Sequence, residues 1–177
     1  MIPRRREDLP ALCLEKGLHG TFVEIGVAGC DFSRNFIPLL GAGQIAVLVL
    51  VDPWTKESFW RPTTDAEMDA MYETACNLGK GHDTITPGKN LLVIRNTSAQ
   101  AAASFVDGEI DFCFLDARHE YESVKQDIGL WIYKVRKGGI LAVHDYHMAE
   151  VRRAVDKFFP AVNVCEDEEA RTAWIQI

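Results

Sequence analysis

No C-x-x-C pair occurs among the 177 residues, and the cysteines, Cys13, Cys30, Cys76, Cys113 and Cys165, are odd in number and scattered. That spacing supports neither a disulfide framework nor a zinc knuckle, so a reducing setting, the cytoplasm by default, is expected. Long apolar runs are missing as well: no stretch of about 18 apolar residues is available to cross a bilayer. The chain begins with "RRREDLP" at residues 4 to 10, where a signal peptide would need its apolar segment, so export by that route is not expected. A basic surplus is also absent. With 19 Lys and Arg against 26 Asp and Glu, the formal net charge of −7 disfavours nucleic acid and anionic membrane as partners and favours a small molecule. The three arginines at 4 to 6 are read as charges in a frayed, solvated N-terminus in preference to a phosphate-binding patch. There is no internal repeat and no low-complexity tract, and oligomeric state is left open.

What is present is a 47% hydrophobic chain, enough for one substantial core and too short for two ordinary domains with a linker. One domain spanning 1–177 is expected. Short β-branched runs alternate with segments of helical period, the pattern of an α/β protein with a mostly parallel sheet. Strands are expected at 21–26, 45–52, 91–96, 110–116 and 140–145. Two further runs, "VNVCE" (162–166) and "TAWIQI" (172–177), flank "EDEEAR" and predict an antiparallel hairpin at one sheet edge. Tyr121, Val124, Ile128, Trp131 and Val135 recur at helical spacing, with Gly138 and Gly139 expected to stop that helix. A helix over 30–40 is expected to kink or restart at Pro38, and one over 64–78 opens with Thr64 and Glu67 at capping-box spacing. The connection from 54 to 90 exceeds the usual strand-to-helix rhythm. It is either a lid over a substrate or a surface excursion, and Phe59 and Trp60 within it need something apolar to cover.

The first strand runs into "EIGVAGCDFS", a glycine turn before a helix, where backbone can approach a ligand closely and N–H groups are on offer. A dinucleotide fingerprint would require glycine where this chain has Glu24. A carboxylate there repels a pyrophosphate but pairs with a cationic amino acid moiety. The second strand ends in Asp52, placed to accept both hydroxyls of a ribose. Ribose plus a positive group describes S-adenosylmethionine better than NAD. The plainer alternative is a turn that only permits tight packing, with Asp52 a solvated acid.

Two further strand ends are acidic: "LDARHEYE" follows the fourth strand and "VHDYH" the fifth. Ligands of open parallel sheets bind outside the carboxyl ends of the strands, so Asp116 and Asp145 would emerge together if these strands are neighbours. With His119 and His144 beside them, the carboxylates make a site for Mg²⁺ or a similar hard cation, which would activate and orient a substrate hydroxyl, and a histidine could take its proton. Each residue also has a plain structural explanation: Asp116 as a helix cap, His119 as a surface side chain, His144 as a core histidine. Tyr121 is read as core, Tyr146 and His147 as loop residues without distinguishing features, and His82 and Asp83 as solvated.

Taken together, "FVEIGVAGCDFS", "LVDPW", the long run from Ile110 to His147 and "VRRAVDKFF" resemble class I S-adenosylmethionine-dependent methyltransferases, nearest to small-molecule O-methyltransferases related to the macrocin, macrolide-sugar and cephalosporin-hydroxylase-like groups. The resemblance implies a Rossmann-like α/β fold: a mostly parallel seven-stranded sheet with helices on both faces and a C-terminal antiparallel hairpin. It implies cofactor binding by Glu24, Gly26, Gly29 and Asp52, with Asn96 and Ser98 at the adenine and Asp116 at the edge of the same site. In metal-dependent members the acid ending strand four and an acidic pair ending strand five hold Mg²⁺, and a histidine three residues past the first acid is the base. Asp116, Asp145 and His119 match those places, and His144 replaces the first acid of the pair. The implied catalytic set is therefore His119, His144 and Asp145, and the implied metal set Asp116, Asp145 and His144, with metal-free catalysis by a histidine as the alternative. The implied reaction is methyl transfer to a hydroxyl of a sugar or natural product. A cofactor-binding module without chemistry and an NAD-dependent oxidoreductase are the competing readings.

Overall fold

The computed structural model describes residues 2–166 and 169–177. Strands β1 (Thr21–Ile25), β2 (Val47–Asp52), β3 (Leu91–Arg95), β4 (Ile110–Leu115), β5 (Val135–Val143), β6 (Asn163–Cys165) and β7 (Thr172–Gln176) form one sheet in the order β3-β2-β1-β4-β5-β7-β6. The five leading strands pair in parallel, while β7 runs antiparallel to both β5 and β6. The expected hairpin is thus formed, although Asp167 and Glu168 of its connection lie outside the described residues. Strand order reverses between β1 and β4, which opens a crevice at their carboxyl ends.

The continuous apolar strands are explained by two covered faces. Because side chains alternate along a strand, Phe22, Leu48, Leu50, Phe112, Phe114 and Ile140 fall on one face and Val23, Val49, Val51, Cys113, Leu115 and Leu141 on the other. The first face is packed by α1 (Leu9–Glu15), α2 (Ile37–Gly41) and α3 (Asp65–Cys76), which supply Leu12, Leu40 and Met68. The second is packed by α4 (Ser98–Ala102), α5 (Tyr121–Trp131) and α6 (Ala149–Phe158), which supply Ala101, Ile128 and Val151. In α3 the capping box forms as its sequence predicts: Thr64 Oγ1 accepts from Glu67 N–H at 3.2 Å, and Glu67 accepts from Thr64 N–H at 2.8 Å. Pro38 restarts the chain after a 3-10 turn over Ser33–Asn35 and sits in the first turn of α2, where its missing N–H costs nothing. No helix among the described residues is long and apolar enough to cross a membrane.

One boundary differs from the sequence expectation. The helix ends at Trp131, and Val135 already belongs to β5, paired with Ile110. Burial of Val135 mimicked a further helical turn. Gly138 and Gly139 lie inside β5, where the register jumps from Ile110↔Val135 to Phe112↔Ile140. A Cβ on Gly139 would stand 2.8 Å from the Asp111 carbonyl oxygen, so the glycine serves the bulge rather than a helix stop.

Phe36 anchors the first face, with its ring 5.1 Å from Phe32 and 5.6 Å from both Phe22 and Phe112. Phe36→Ala is expected to cost about 3–5 kcal/mol of unfolding free energy, read from urea denaturation, because the other rings cannot close the gap. A loss below about 1 kcal/mol would show this cluster to be loosely packed.

Candidate active site

Gly26 stands at the crevice with φ +84°, its N–H donating to the Val51 carbonyl at 2.9 Å. A Cβ there would lie 2.1 Å from the Asp116 carbonyl oxygen, so only glycine lets the end of β1 lie against the end of β4. Beyond it Ala28 (φ 45°) and Cys30 (φ 69°) adopt left-handed conformations. Asp52 compensates for that strain: its Oδ2 accepts from Val27 N–H at 2.9 Å and Ala28 N–H at 3.0 Å, and its Oδ1 from Trp54 N–H at 2.7 Å. Asp52 is therefore the clamp of the turn as well as a wall of the neighbouring cavity. Gly29 has open space around its Cα and lines the crevice.

Two cavities flank this turn. One, of about 570 Å³, is bounded by Asp52, Thr97, Ser98, Gln126 and Asp127. Asp127, on α5, was not foreseen from the sequence. It is buried, accepts from Ser98 Oγ at 2.5 Å, and burial pushes its pKa up to about 6 against the pull of that hydrogen bond. Trp131 Nε1 donates to the same Ser98 hydroxyl at 2.9 Å. A carboxylate at an i,i+3 offset from Val124, on the edge of the apolar stripe of α5, was the only sequence signal. Asn96 does not line this cavity. Its N–H donates to the Asp52 carbonyl at 3.2 Å, and its Oδ1 accepts from Thr97 N–H, which makes it a brace for the strand end.

The second cavity, of about 870 Å³, reaches from Glu24 and Gly29 across to Asp116, His119, His144 and Asp145. Pairing of β4 with β5 brings Leu115 opposite Val143, and that register puts the following acids side by side. His119 Nε2 lies 2.8 Å from Asp145 Oδ2 and 3.7 Å from Asp116 Oδ1. His144 Nδ1 lies 3.3 Å from each carboxylate. Asp145 itself is left-handed, φ 56°, which turns its side chain into the group. The contacts with Asp116 and Asp145 push the pKa of His119 up to about 9, despite opposing burial. Burial opposes ionisation of Asp145, and the two imidazoles outweigh it, holding its carboxyl well below the usual range; Asp116 is lowered in the same way.

Two members of this group escaped the sequence reading. Arg6, expected to be solvated, enters the site from a 3-10 turn over Arg6–Asp8, with Nη1 3.3 Å from His144 Nε2 and 3.6 Å from Asp116 Oδ2. Its position was invisible because only the fold places Phe32, over which its guanidinium rests at 5.7 Å, beside β4. Ser33 donates to Glu24 Oε2 at 2.5 Å. Of the remaining expectations, Tyr146 is buried and donates to Asp156 at 2.8 Å, His147 contacts the Ala170 carbonyl at 2.7 Å on the cavity rim, and His82 and Asp83 are exposed. The segment after β2 overhangs both cavities through Ser58, Phe59 and Trp60, while Trp54 is buried against Tyr72 with ring centroids 5.2 Å apart.

A family model described as a methyltransferase domain matches residues 23–146, and the chain belongs to that family. Among solved structures it is similar to the O-methyltransferase NovP, at 17% identity and TM-score 0.71 over 97% of this chain and 78% of that one. It is also similar to a TDP-rhamnose 3'-O-methyltransferase of calicheamicin biosynthesis, at 15% identity and TM-score 0.63 over 96% and 76% of the two chains. TomG of Streptomyces achromogenes, an O-methyltransferase of tomaymycin synthesis solved with S-adenosylmethionine, gives 11% identity and TM-score 0.62 over 97% and 78%. These likenesses establish the Rossmann-like methyltransferase fold. Comparison with curated proteins gives no match.

Glu24 is buried in the methyltransferase crevice, and burial pushes its pKa up to about 8 against the Ser33 hydrogen bond. The folded value exceeds the unfolded one, so below about pH 4.5 both states hold the proton and no penalty exists; above it the unfolded state ionises first, and the penalty on the fold grows to about pH 8 and persists beyond it. Glu24→Gln is expected to raise unfolding free energy at pH 7.5 by on the order of 2 kcal/mol and to leave it unchanged at pH 4. Equal melting of both proteins across that range would show that Glu24 ionises without cost.

Proposed function

We propose that the chain transfers the methyl group of S-adenosylmethionine to a hydroxyl of a small molecule, a sugar or natural product, and that one domain with a lid at residues 54–90 does so. The observation that carries this reading is the pairing of a buried acid, Glu24, with the Asp52-clamped turn between two adjoining cavities. Adenosine fits the smaller cavity, its ribose against Asp52 and its adenine amino group toward Asp127 and Ser98. The amino acid moiety fits Glu24, where a cationic partner repays the cost of ionising a buried carboxyl. The sulfonium then faces the acidic group, and the acceptor enters beneath Phe59 and Trp60. A pyrophosphate would meet Glu24 and Asp116, which argues against NAD.

Much of the rate would come from alignment, since the sulfonium is already reactive and the acceptor oxygen need only be held about 3 Å from the methyl carbon. Asp116 and Asp145 keep His119 protonated at neutral pH, so it would act as the base only in the fraction that has lost its Nε2 proton, a fraction that grows toward pH 9. Asp116, Asp145 and His144 each offer a ligand atom, all within 4.8 Å of one another, and Nε2 of His119 is buried beside them without a well-directed hydrogen bond. The set fits a hard divalent cation such as Mg²⁺, which would supply Lewis acidity toward the acceptor oxygen.

Calorimetric titration is expected to give micromolar binding of S-adenosylhomocysteine, none of NAD⁺, and a loss of about 10-fold or more in Asp52→Ala. Absence of S-adenosylhomocysteine binding would overturn the assignment. With an acceptor in hand from a hydroxyl-compound screen, His119→Ala and Asp145→Asn should each lower turnover by about 100-fold or more with cofactor affinity nearly intact. Normal turnover in both would remove the acidic group from the chemistry. Tight cofactor binding with no acceptor methylated would favour the non-catalytic module.

A further inference from the structure

The acidic group is filled by the protein's own cations. Asp116 and Asp145 face two of them: the guanidinium of Arg6, 3.6 Å from Asp116, and the His119 imidazole, 2.8 Å from Asp145. His144 lies between, with Nε2 toward Arg6 at 3.3 Å and Nδ1 toward both carboxylates at 3.3 Å. Arg6 therefore brings a permanent positive charge to within 3.6 Å of a carboxylate that a metal ion would need, and a divalent cation bound to Asp116 would stand against that charge. The two cations exclude each other.

We infer that Arg6 is the resident cation of this site: it neutralises Asp116, and a divalent cation enters only when the Arg6 side chain withdraws. The segment that carries Arg6 is suited to such an exchange. It is a single 3-10 turn near the N-terminus, the arginine side chain is 24% exposed, and its alternative partner is close at hand in Glu7, whose Oε1 already accepts from Arg6 Nε at 3.2 Å. The inference uses the site assigned above but does not depend on methyl transfer.

The test is Mn²⁺ binding to the intact protein, followed by loss of the free-ion signal in electron paramagnetic resonance at constant pH and ionic strength. Arg6→Met keeps an apolar stem over Phe32 and removes the charge. It is expected to bind Mn²⁺ at least about 10-fold more tightly than the unaltered protein, since a unit charge within a few ångströms of the ion has gone. Adding Asp116→Asn to Arg6→Met should abolish the gain, which ties it to this site. Equal or weaker binding by Arg6→Met would overturn the inference, as would a failure of both proteins to bind at millimolar Mn²⁺. Circular dichroism on the same samples and a second variant, Arg6→Gln, distinguish loss of charge from loss of fold. S-adenosylhomocysteine calorimetry on each protein keeps the outcomes separate: an Mn²⁺ gain without cofactor binding would sustain this inference and sink the methyltransferase reading.

Discussion

The close passage of Gly26 against the backbone of Asp116 governs the whole active region. Here β1 and β4 meet at the point where strand order reverses, Asp116 N–H donating to the Ile25 carbonyl at 2.8 Å while Gly26 N–H donates across to Val51 at 2.9 Å. Any side chain at 26 would push the strand ends apart, because a Cβ meets the Asp116 carbonyl oxygen at 2.1 Å. Contact at this point forces the turn that follows β1 to rise steeply. Its left-handed residues then need an anchor, and Asp52 supplies one. The same contact divides the crevice into two cavities, each sharing Gly26 and Asp116 as wall. Glycine is needed here for packing between strands, a requirement a ligand would then exploit.

Charge is managed differently on the two sides of that wall. Asp116 and Asp145 are ionised because imidazole and guanidinium groups face them, so burial is offset by partners. Among the described residues Glu24 and Asp127 have a serine hydroxyl each as their hydrogen-bond partner, and burial raises both. A hydroxyl stabilises a carboxylate far less than a cation does. On the reading proposed above, these two acids await a ligand that brings positive charge or N–H donors, whereas the acidic pair already has cationic partners. That asymmetry would then separate a ligand-binding half from a half that handles the acceptor's proton.

Much of this was legible from the chain because short-range physics determined it. The apolar runs gave all seven strands, since a sheet covered on both faces needs residues such as Val49 and Leu50 to be apolar in succession. Thr64 and Glu67 gave the start of α3 through a local hydrogen-bond exchange. Asp116 and Asp145 could be paired because parallel neighbours deliver their ends to one crevice. Contacts between segments far apart in sequence were not legible. Val135 is buried whether it lies on a helix or a strand, so periodicity extended α5 too far. Val151, Ala154 and Val155 form an apolar stripe against a charged opposite face, a strong local mark of α6 that the strand-by-strand reading passed over. Arg6 looked like tail charge because nothing local ties it to His144, 138 residues away.

The long-range placement of Arg6 also bears on how the larger cavity is covered. The core fold leaves the crevice open above the strand ends, and two segments from opposite sides of the chain cover it. One is the 55–60 stretch, fastened by Arg118, whose Nη2 donates to the Glu57 carbonyl at 2.6 Å from the loop after β4. The other is the N-terminal turn, fastened by Arg6 to the acids after β4 and β5. Both fasteners are arginines, Arg118 reaching out from the end of β4 and Arg6 reaching in toward the ends of β4 and β5, and neither segment is held by a large apolar interface: Trp60 is 76% exposed and the N-terminal turn has no buried residue. Polar fastenings of this kind are broken at modest cost, which on the reading proposed above would let the two walls part for an acceptor and close around it.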